Sequence, residues 1–253
     1  MLLILMLLFK RAHAGISETF YPHYLLIMSK NVCFFNAHPD DFNASLGLAL
    51  VLSRMEDYQI HVVDFNRGHR GLEGYGISME ECAATRTAEE EAVCARLGVK
   101  PVFLPEIDGD SFASRETCRQ IEEILLETKP EAVITHWPLD VHPDHVMCSA
   151  AVIRSVLSTH LPIELYFCLQ NKQSRQFPVD VYFPFDEAVM DEKCELLSLY
   201  KCQLGSEIAK RHRCEDQFNG YRCRAPYAEV FASFQKPGFE KFFVDLELVR
   251  GRF

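Results

Sequence analysis

Two short stretches of the chain hold residues able to do chemistry together: Ala37-His38-Pro39-Asp40-Asp41, and His136 followed by Trp137-Pro138-Leu139-Asp140-Val141-His142-Pro143-Asp144-His145. Imidazoles and carboxylates form a hard-to-borderline donor set. Two histidines and one carboxylate with a fourth position open is the pattern of a catalytic zinc site, and ferrous iron suits the same donors. His38 and Asp41 are three residues apart, as are His142 and His145, a spacing that aims two side chains at one centre across a loop-to-helix junction. Of the adjacent carboxylates Asp40 and Asp41, one as ligand and the other as base is the economical division, because a metal ion acidifies water and a free carboxylate takes the proton. His142 then stands outside the ligand set, where it steadies an oxyanion or protonates a leaving amine, and Asp144 holds its tautomer or charge state. Each His-Pro-Asp taken alone also reads as a turn with an aspartate cap. Two copies, each after a strand, carry the functional reading.

The elements that must position these residues follow from apolar patterning. Residues 32–35 read as a buried strand ending at the first cluster, and 44–55 as a helix. A second strand at 59–65 leads into a glycine-rich loop, 67–76, and a long helix at 79–97 stopped by Gly98. Strands at 101–104, 132–135 and 163–169 alternate with helices at 115–127 and 144–159. This alternation predicts an α/β, Rossmann-like, mostly parallel sheet with helices on both faces. Ligands of such sheets bind beyond the carboxyl ends of the strands, so central first and fourth strands bring both clusters to one crevice. From residue 173 the pattern loosens: a strand at 179–183, a helix at 186–201, a polar loop with a short helical part at 205–226 and a strand at 227–231. This region is expected to form a C-terminal cap on the same domain.

The chain has 253 residues and a formal net charge of −10, which disfavours nucleic acid and anionic membranes as main partners. Its ten cysteines are scattered without a CxxC pair and read as free thiols of a reducing, cytoplasmic compartment. Translation is expected to begin at Met28, just before the first strand, so residues 1–27 are taken as an N-terminal extension to a single domain, 28–253. The apolar run 1–9 carries its positive charges after it, at Lys10 and Arg11, so a signal peptide or short anchor is the weaker alternative, and nine residues make no stable membrane span. Nothing sets the oligomeric state, and a homo-oligomer stays open. No phosphate-binding GxGxxG loop follows the first strand, which argues against a nucleotide site.

At these residues the chain resembles the LmbE-like/PIG-L deacetylase family, with its AHPDD motif at 37–41 and its HPDH motif at 142–145. Arg86-Thr87-Ala88-Glu89 resembles its Arg-x-x-Glu element, Leu97-Gly98-Val99 the turn after it, and Tyr227-Ala228-Glu229-Val230-Phe231 its C-terminal element. The resemblance spans 31–231 and implies a Rossmann-like fold and zinc-dependent removal of an N-acetyl group from a small N-acetylglucosamine-type conjugate. Other readings of the same site are an amidase for another small amide or thiol conjugate, and a non-catalytic sugar binder. By motif position, His38, Asp41 and His145 match the metal ligands, Asp40 the general base, His142 the group that steadies the tetrahedral intermediate, and Asp144 its carboxylate partner. Arg86 matches a substrate-contacting arginine; an ion pair with Glu89 or Glu90 on the helix surface is the alternative. The chain departs from the family at Asn66-Arg67-Gly68-His69, where a Gly-Glu pair is usual, so Arg67 and His69 become candidate substrate contacts. It departs again at Asp140, where some members carry a tyrosine. His136 is read as a group behind the ligands or as polar filling.

Overall fold

The computed structural model describes residues 30–170 and 173–234. The proposed N-terminal extension, the start at Met28 and the last stretch of the expected domain lie outside the described residues. Among the described residues seven strands form one sheet: β1 (Lys30–Asn36), β2 (Tyr58–Asn66), β3 (Val102–Glu106), β4 (Ala132–His136), β5 (Glu164–Cys168), β6 (Val181–Phe185) and β7 (Tyr227–Ser233). Their order is β3-β2-β1-β4-β5-β7-β6. The first five strands are parallel, and β7 runs antiparallel to both β5 and β6. β1 lies directly beside β4, with Val32 opposite Ala132 and Phe34 opposite Ile134. The order reverses between these two strands, and their following loops diverge there to leave a crevice. The α/β reading stands, and the two clusters sit at that switch point.

The helices are α1 (Leu46–Ser53), α2 (Met79–Arg96), α3 (Arg115–Thr128), α4 (Pro143–Ser158), α5 (Glu187–Leu197) and α6 (Gly205–Cys223). Their starts are local chemistry. Ser78 and Glu81 form a reciprocal capping box on α2, and Ser114 and Asp186 cap α3 and α5. α2 stops at Leu97 before Gly98, whose φ of +74° suits glycine. On one face of the sheet, Cys118, Ile121 and Leu125 of α3 and Cys148, Val152 and Val156 of α4 pack against Cys33, Phe35, Val63, Val133 and Leu165. Alternate strand residues such as Val32, Phe34 and Val62 are buried on the opposite face. Burial pushes the Cys33 thiol up to about 12, so it acts as a small apolar side chain.

Residues beyond 173 extend the sheet with β6 and β7; α6 packs on α5 and on β7, and α5 packs on α1. The largest difference from the sequence expectation is α6, a 19-residue helix where a polar loop with a short helical part was expected. Its buried side is carried by Ile208, Ala209, His212, Asp216 and Gly220. Polar and small residues on the inner face erase the apolar period that marks a helix. Among the described residues no helix is long and apolar enough to cross a membrane.

Candidate active site

The loop after β1 turns sharply. Asp40 has φ of +92°, a left-handed conformation that aspartate tolerates better than most residues. The turn is held by Asn43, whose Nδ2 donates to the Asp40 carbonyl at 2.6 Å, and by the Asp40 N–H donating to Glu90 Oε2 at 3.3 Å. A 3₁₀ turn, Asp41–Ala44, then feeds α1. After β4, His142 occupies the N-cap of α4 with Pro143 at the first helical position, where a missing N–H costs nothing. His145 lies one turn further in. The two loops are tied by the Ala37 N–H, which donates to His136 Nε2 at 2.8 Å.

The tie brings the donors together. Asp41 Oδ2 lies 2.9 Å from His38 Nδ1 and 3.2 Å from His145 Nε2, with all three residues buried. The His142 ring stands 4.7 Å from both the His38 and His145 rings. Ligand atoms of His38, His142 and His145 lie within 4.8 Å of one another. Donor atoms around a tetrahedral ion with bonds of about 2.0–2.1 Å sit about 3.3 Å apart, so the spacing fits an ion of zinc's size. The charges fit too. Burial alone lowers the His38 pKa, but Asp108, Asp144 and Asp41 raise it well above the usual histidine value. His145 likewise rises to about 9 against its burial, through Asp41 and Asp140. Buried carboxylates therefore call for positive charge at the centre, which protons supply here and a divalent cation would satisfy.

Asp40 lines the same crevice and is held by Arg86, which donates through Nη2 to Asp40 Oδ1 and to the Pro39 carbonyl. Burial raises the Asp40 carboxyl to about 6, the Arg86 charge opposing it. Arg86 is buried by the glycine-rich loop: an added Cβ would lie 2.5 Å from Arg86 Nε at Gly68 and closer still to Nη1 at Gly71. Its partner is Asp40, not Glu89 or Glu90. Glu89 accepts from the Cys202 N–H at 3.0 Å, and Glu90, wholly buried, accepts from the Tyr200 hydroxyl at 2.7 Å.

Asp144 is engaged differently from the sequence expectation. Its Oδ2 meets His38 Nε2 at 3.0 Å and accepts from the Gly109 N–H at 2.7 Å and from Asn66 Nδ2 at 3.2 Å. The carboxylate thus serves His38 rather than His142, because the first turn of α4 carries it toward β2 and the loop after β3. His142 is held instead by the backbone: its Nδ1 accepts from the Asp144 N–H at 3.3 Å. That bond puts the ring proton on Nε2, and burial lowers the His142 pKa, so the ring is a neutral donor.

A cavity of about 720 Å³ opens over this centre, lined by His38, Asp40, Asp41, Arg86, His142 and His145 together with Asp108, Arg70, Gln170 and Arg211. Arg67 and His69 are not on its wall. Arg67 donates to Thr87 Oγ1 at 3.1 Å and stacks on Phe103, because the loop turns at Gly68 and presents Arg70 and Gly71 to the cavity. Three contributors went unread in the sequence. Asp108 lies 3.3 Å from His38 Nε2, and its place after a parallel strand, beside Gly109, was the available signal. Gln170, whose Nε2 donates to the Asp41 carbonyl at 2.7 Å, and Glu90 gave no local signal.

Residues 33–156 match the sequence profile of a family described as PIG-L, GlcNAc-PI de-N-acetylase. A probable N-acetyl-alpha-D-glucosaminyl L-malate deacetylase 2 of Bacillus subtilis (strain 168) is 26% identical over 136 residues, 51% of this chain and 62% of that protein. The chain thus spans less than two thirds of the relative's length. Among solved structures, an N,N'-diacetylchitobiose deacetylase from Pyrococcus horikoshii superposes with a TM-score of 0.71 at 24% identity, over 86% of this chain and 89% of that one. GalB, the 4-carboxy-2-hydroxymuconate hydratase of Pseudomonas putida KT2440, gives 0.69 at 18%, over 84% and 99%. These likenesses establish the fold, and the fold serves both enzymes.

Proposed function

We propose, from the premise that residues 33–156 are a domain of the PIG-L (LmbE-like) family, that this chain is a zinc-dependent hydrolase removing an N-acetyl group from an N-acetylglucosamine-type conjugate. One observation carries the reading: a single carboxylate oxygen, Asp41 Oδ2, shared by His38 and His145 in a buried crevice beside a second carboxylate, Asp40. His38, Asp41 and His145 would hold the ion, which when bound supplies Lewis-acid chemistry, acidifying water and polarising the acetamide carbonyl. Ferrous iron suits the same residues.

The chain's own groups divide the remaining work. Asp40 takes a proton from the attacking water, and its carboxyl, raised toward neutrality by burial, is suited to pass that proton on to the leaving amine. The neutral His142 ring donates from Nε2 to the oxygen that gains charge as water adds to the carbonyl carbon. The carbon–nitrogen bond then breaks, leaving acetate and a free amine. Asp144 holds His38 through Nε2, and so leaves Nδ1 for the ion. Arg86 keeps Asp40 aimed. Arg67 and His69, off the cavity wall, remain candidates for outer parts of a substrate.

The test is metal content by elemental analysis of the purified protein beside His38→Ala and His145→Ala, followed by acetate release from a panel of N-acetylated sugars. About one zinc per chain, lost in both variants, with acetate from at least one sugar, is the expected result. A folded protein that takes up no metal on reconstitution, or a zinc-loaded one that releases acetate from none of them, ends the deacetylase reading. The hydration chemistry of a GalB-like enzyme would then be assayed.

The packing of the glycine loop on Arg86 gives a second expectation. Gly71→Ala puts a methyl into the guanidinium and should push Arg86 off Asp40. Misplacement by about 1 Å costs on the order of 10² in rate, so kcat should fall by at least tenfold with zinc content intact. A wild-type kcat would remove Arg86 from the aiming of Asp40.

A further inference from the structure

We infer that Asp140 is a positioning residue for His145, fixing the ring's tautomer and orientation from behind, with Ser174 in turn fixing Asp140. The inference rests on His145 being a metal ligand. Asp140 Oδ1 lies 3.3 Å from His145 Nδ1 as an ion-pair contact, and that buried nitrogen makes no hydrogen bond among the described residues. The same oxygen accepts from the His142 N–H at 2.8 Å, and Oδ2 accepts from Ser174 Oγ at 3.1 Å. The Asp140 side chain is fully buried and absent from the cavity wall, so it acts through other groups rather than on a substrate.

A turn alone does not explain this burial. The loop is already secured by its backbone: the Arg175 N–H donates to the Leu139 carbonyl at 2.7 Å and the Val141 N–H to the Gln173 carbonyl at 3.2 Å. Trp137 Nε1 adds a bond to the Arg175 carbonyl at 2.8 Å. An aspartate turn needs only one of its oxygens. A wholly buried carboxylate needs donors for the rest, and the ring N–H of His145 is the charged-state partner within reach. A proton on Nδ1 leaves the Nε2 lone pair facing Asp41, 3.2 Å away, which is where a ligand atom is required. The carboxylate–histidine–metal arrangement orients the ring and strengthens it as a donor. The segment that carries Ser174 also carries Gln170, which holds the Asp41 carbonyl, so the β5–β6 connection braces two members of the proposed ligand set.

The experiment measures zinc affinity at neutral pH by competition with a chromophoric chelator, for wild type, Asp140→Asn, Asp140→Ala and Ser174→Ala. The melting temperature of each metal-free protein is read beside it. Asparagine keeps an acceptor for the His142 N–H and a group for Ser174, so the loop is retained and only the charge facing His145 is lost. Asp140→Asn should weaken zinc binding roughly 10-fold and Asp140→Ala up to roughly 100-fold, Ser174→Ala by less, at unchanged melting temperature. Nitrogen NMR shifts of the zinc-loaded His145 ring should report one tautomer in wild type and an altered state in Asp140→Asn. Wild-type affinity and an unaltered ring in Asp140→Asn overturn the inference; should Asp140→Ala not fold, the other two variants decide it. A wild-type protein that binds no zinc overturns both this inference and the functional reading. Zinc affinity lost in the variants, with no acetate released by wild type from any sugar, supports this inference and sinks only the deacetylase.

Discussion

Asp40→Asn should retain about one zinc per chain and lose turnover by roughly 10³-fold, within the 10²–10⁴ that a positioned general base contributes. Asparagine matches the shape of the side chain, still accepts from Arg86, and cannot take a proton from water. Asp41, His38 and His145 form their cluster without it, so metal content is not expected to move. The loss should fall on kcat and kcat/KM alike, as for an interaction made only in the transition state. Elemental analysis and acetate-release kinetics on one preparation check both halves. Activity within tenfold of wild type would remove Asp40 from the base role, and loss of zinc would make it part of the ligand set instead.

Lys193→Met should lower stability by about 3–5 kcal/mol, the cost of removing one partner from a buried ionic cluster. Lys193 is fully buried, and its ammonium donates to Asp216 Oδ2 and Glu229 Oε1, both at 2.7 Å. Burial alone lowers its pKa, but those two carboxylates raise it above the usual lysine range, so the side chain stays charged. Methionine fills similar volume and leaves two carboxylates buried without a cation. Glu229 cannot turn away, because its oxygens accept from the Gly47 and Leu48 N–H groups at 2.7 and 2.8 Å, capping the start of α1. At about 2–4 °C per kcal/mol for a domain of this size, the melting temperature should drop by about 10 °C. Adding Asp216→Leu should recover part of the loss. A melting temperature within about 2 °C of wild type would mean that the cluster is neutralised in another way.

These two sites differ in how they announce themselves. His38, Asp40, Asp41, His142 and His145 lie in two contiguous motifs, and a strand before each motif fixes where its side chains emerge. Local sequence suffices there because the donors are near neighbours along the chain. The Lys193–Asp216–Glu229 cluster joins α5, α6 and β7, and no local pattern relates its members. In α6 the same buried polar residues hid the helix itself, since His212 and Asp216 stand where an apolar stripe is normally read. Helices with conventional inner faces and caps, such as α3 with Ser114 at its start and Cys118, Ile121 and Leu125 inside, were legible to within a few residues.

The residues of the candidate site divide along the same line. The pairing of Asp144 with His38 rather than His142, the departure of Arg67 and His69 from the cavity wall, and the arrival of Asp108, Gln170 and Glu90 all depend on where loops from different strands meet. By itself the sequence determined the α/β alternation, the strand ends where the polar clusters gather and the residues that meet in the central cluster, because each is written in short-range periodicity and spacing. Only the tertiary structure decided which carboxylate serves which histidine, because that choice is made by hydrogen-bond geometry among side chains from β1, β2, α4 and the loop after β3, which the chain order does not bring together.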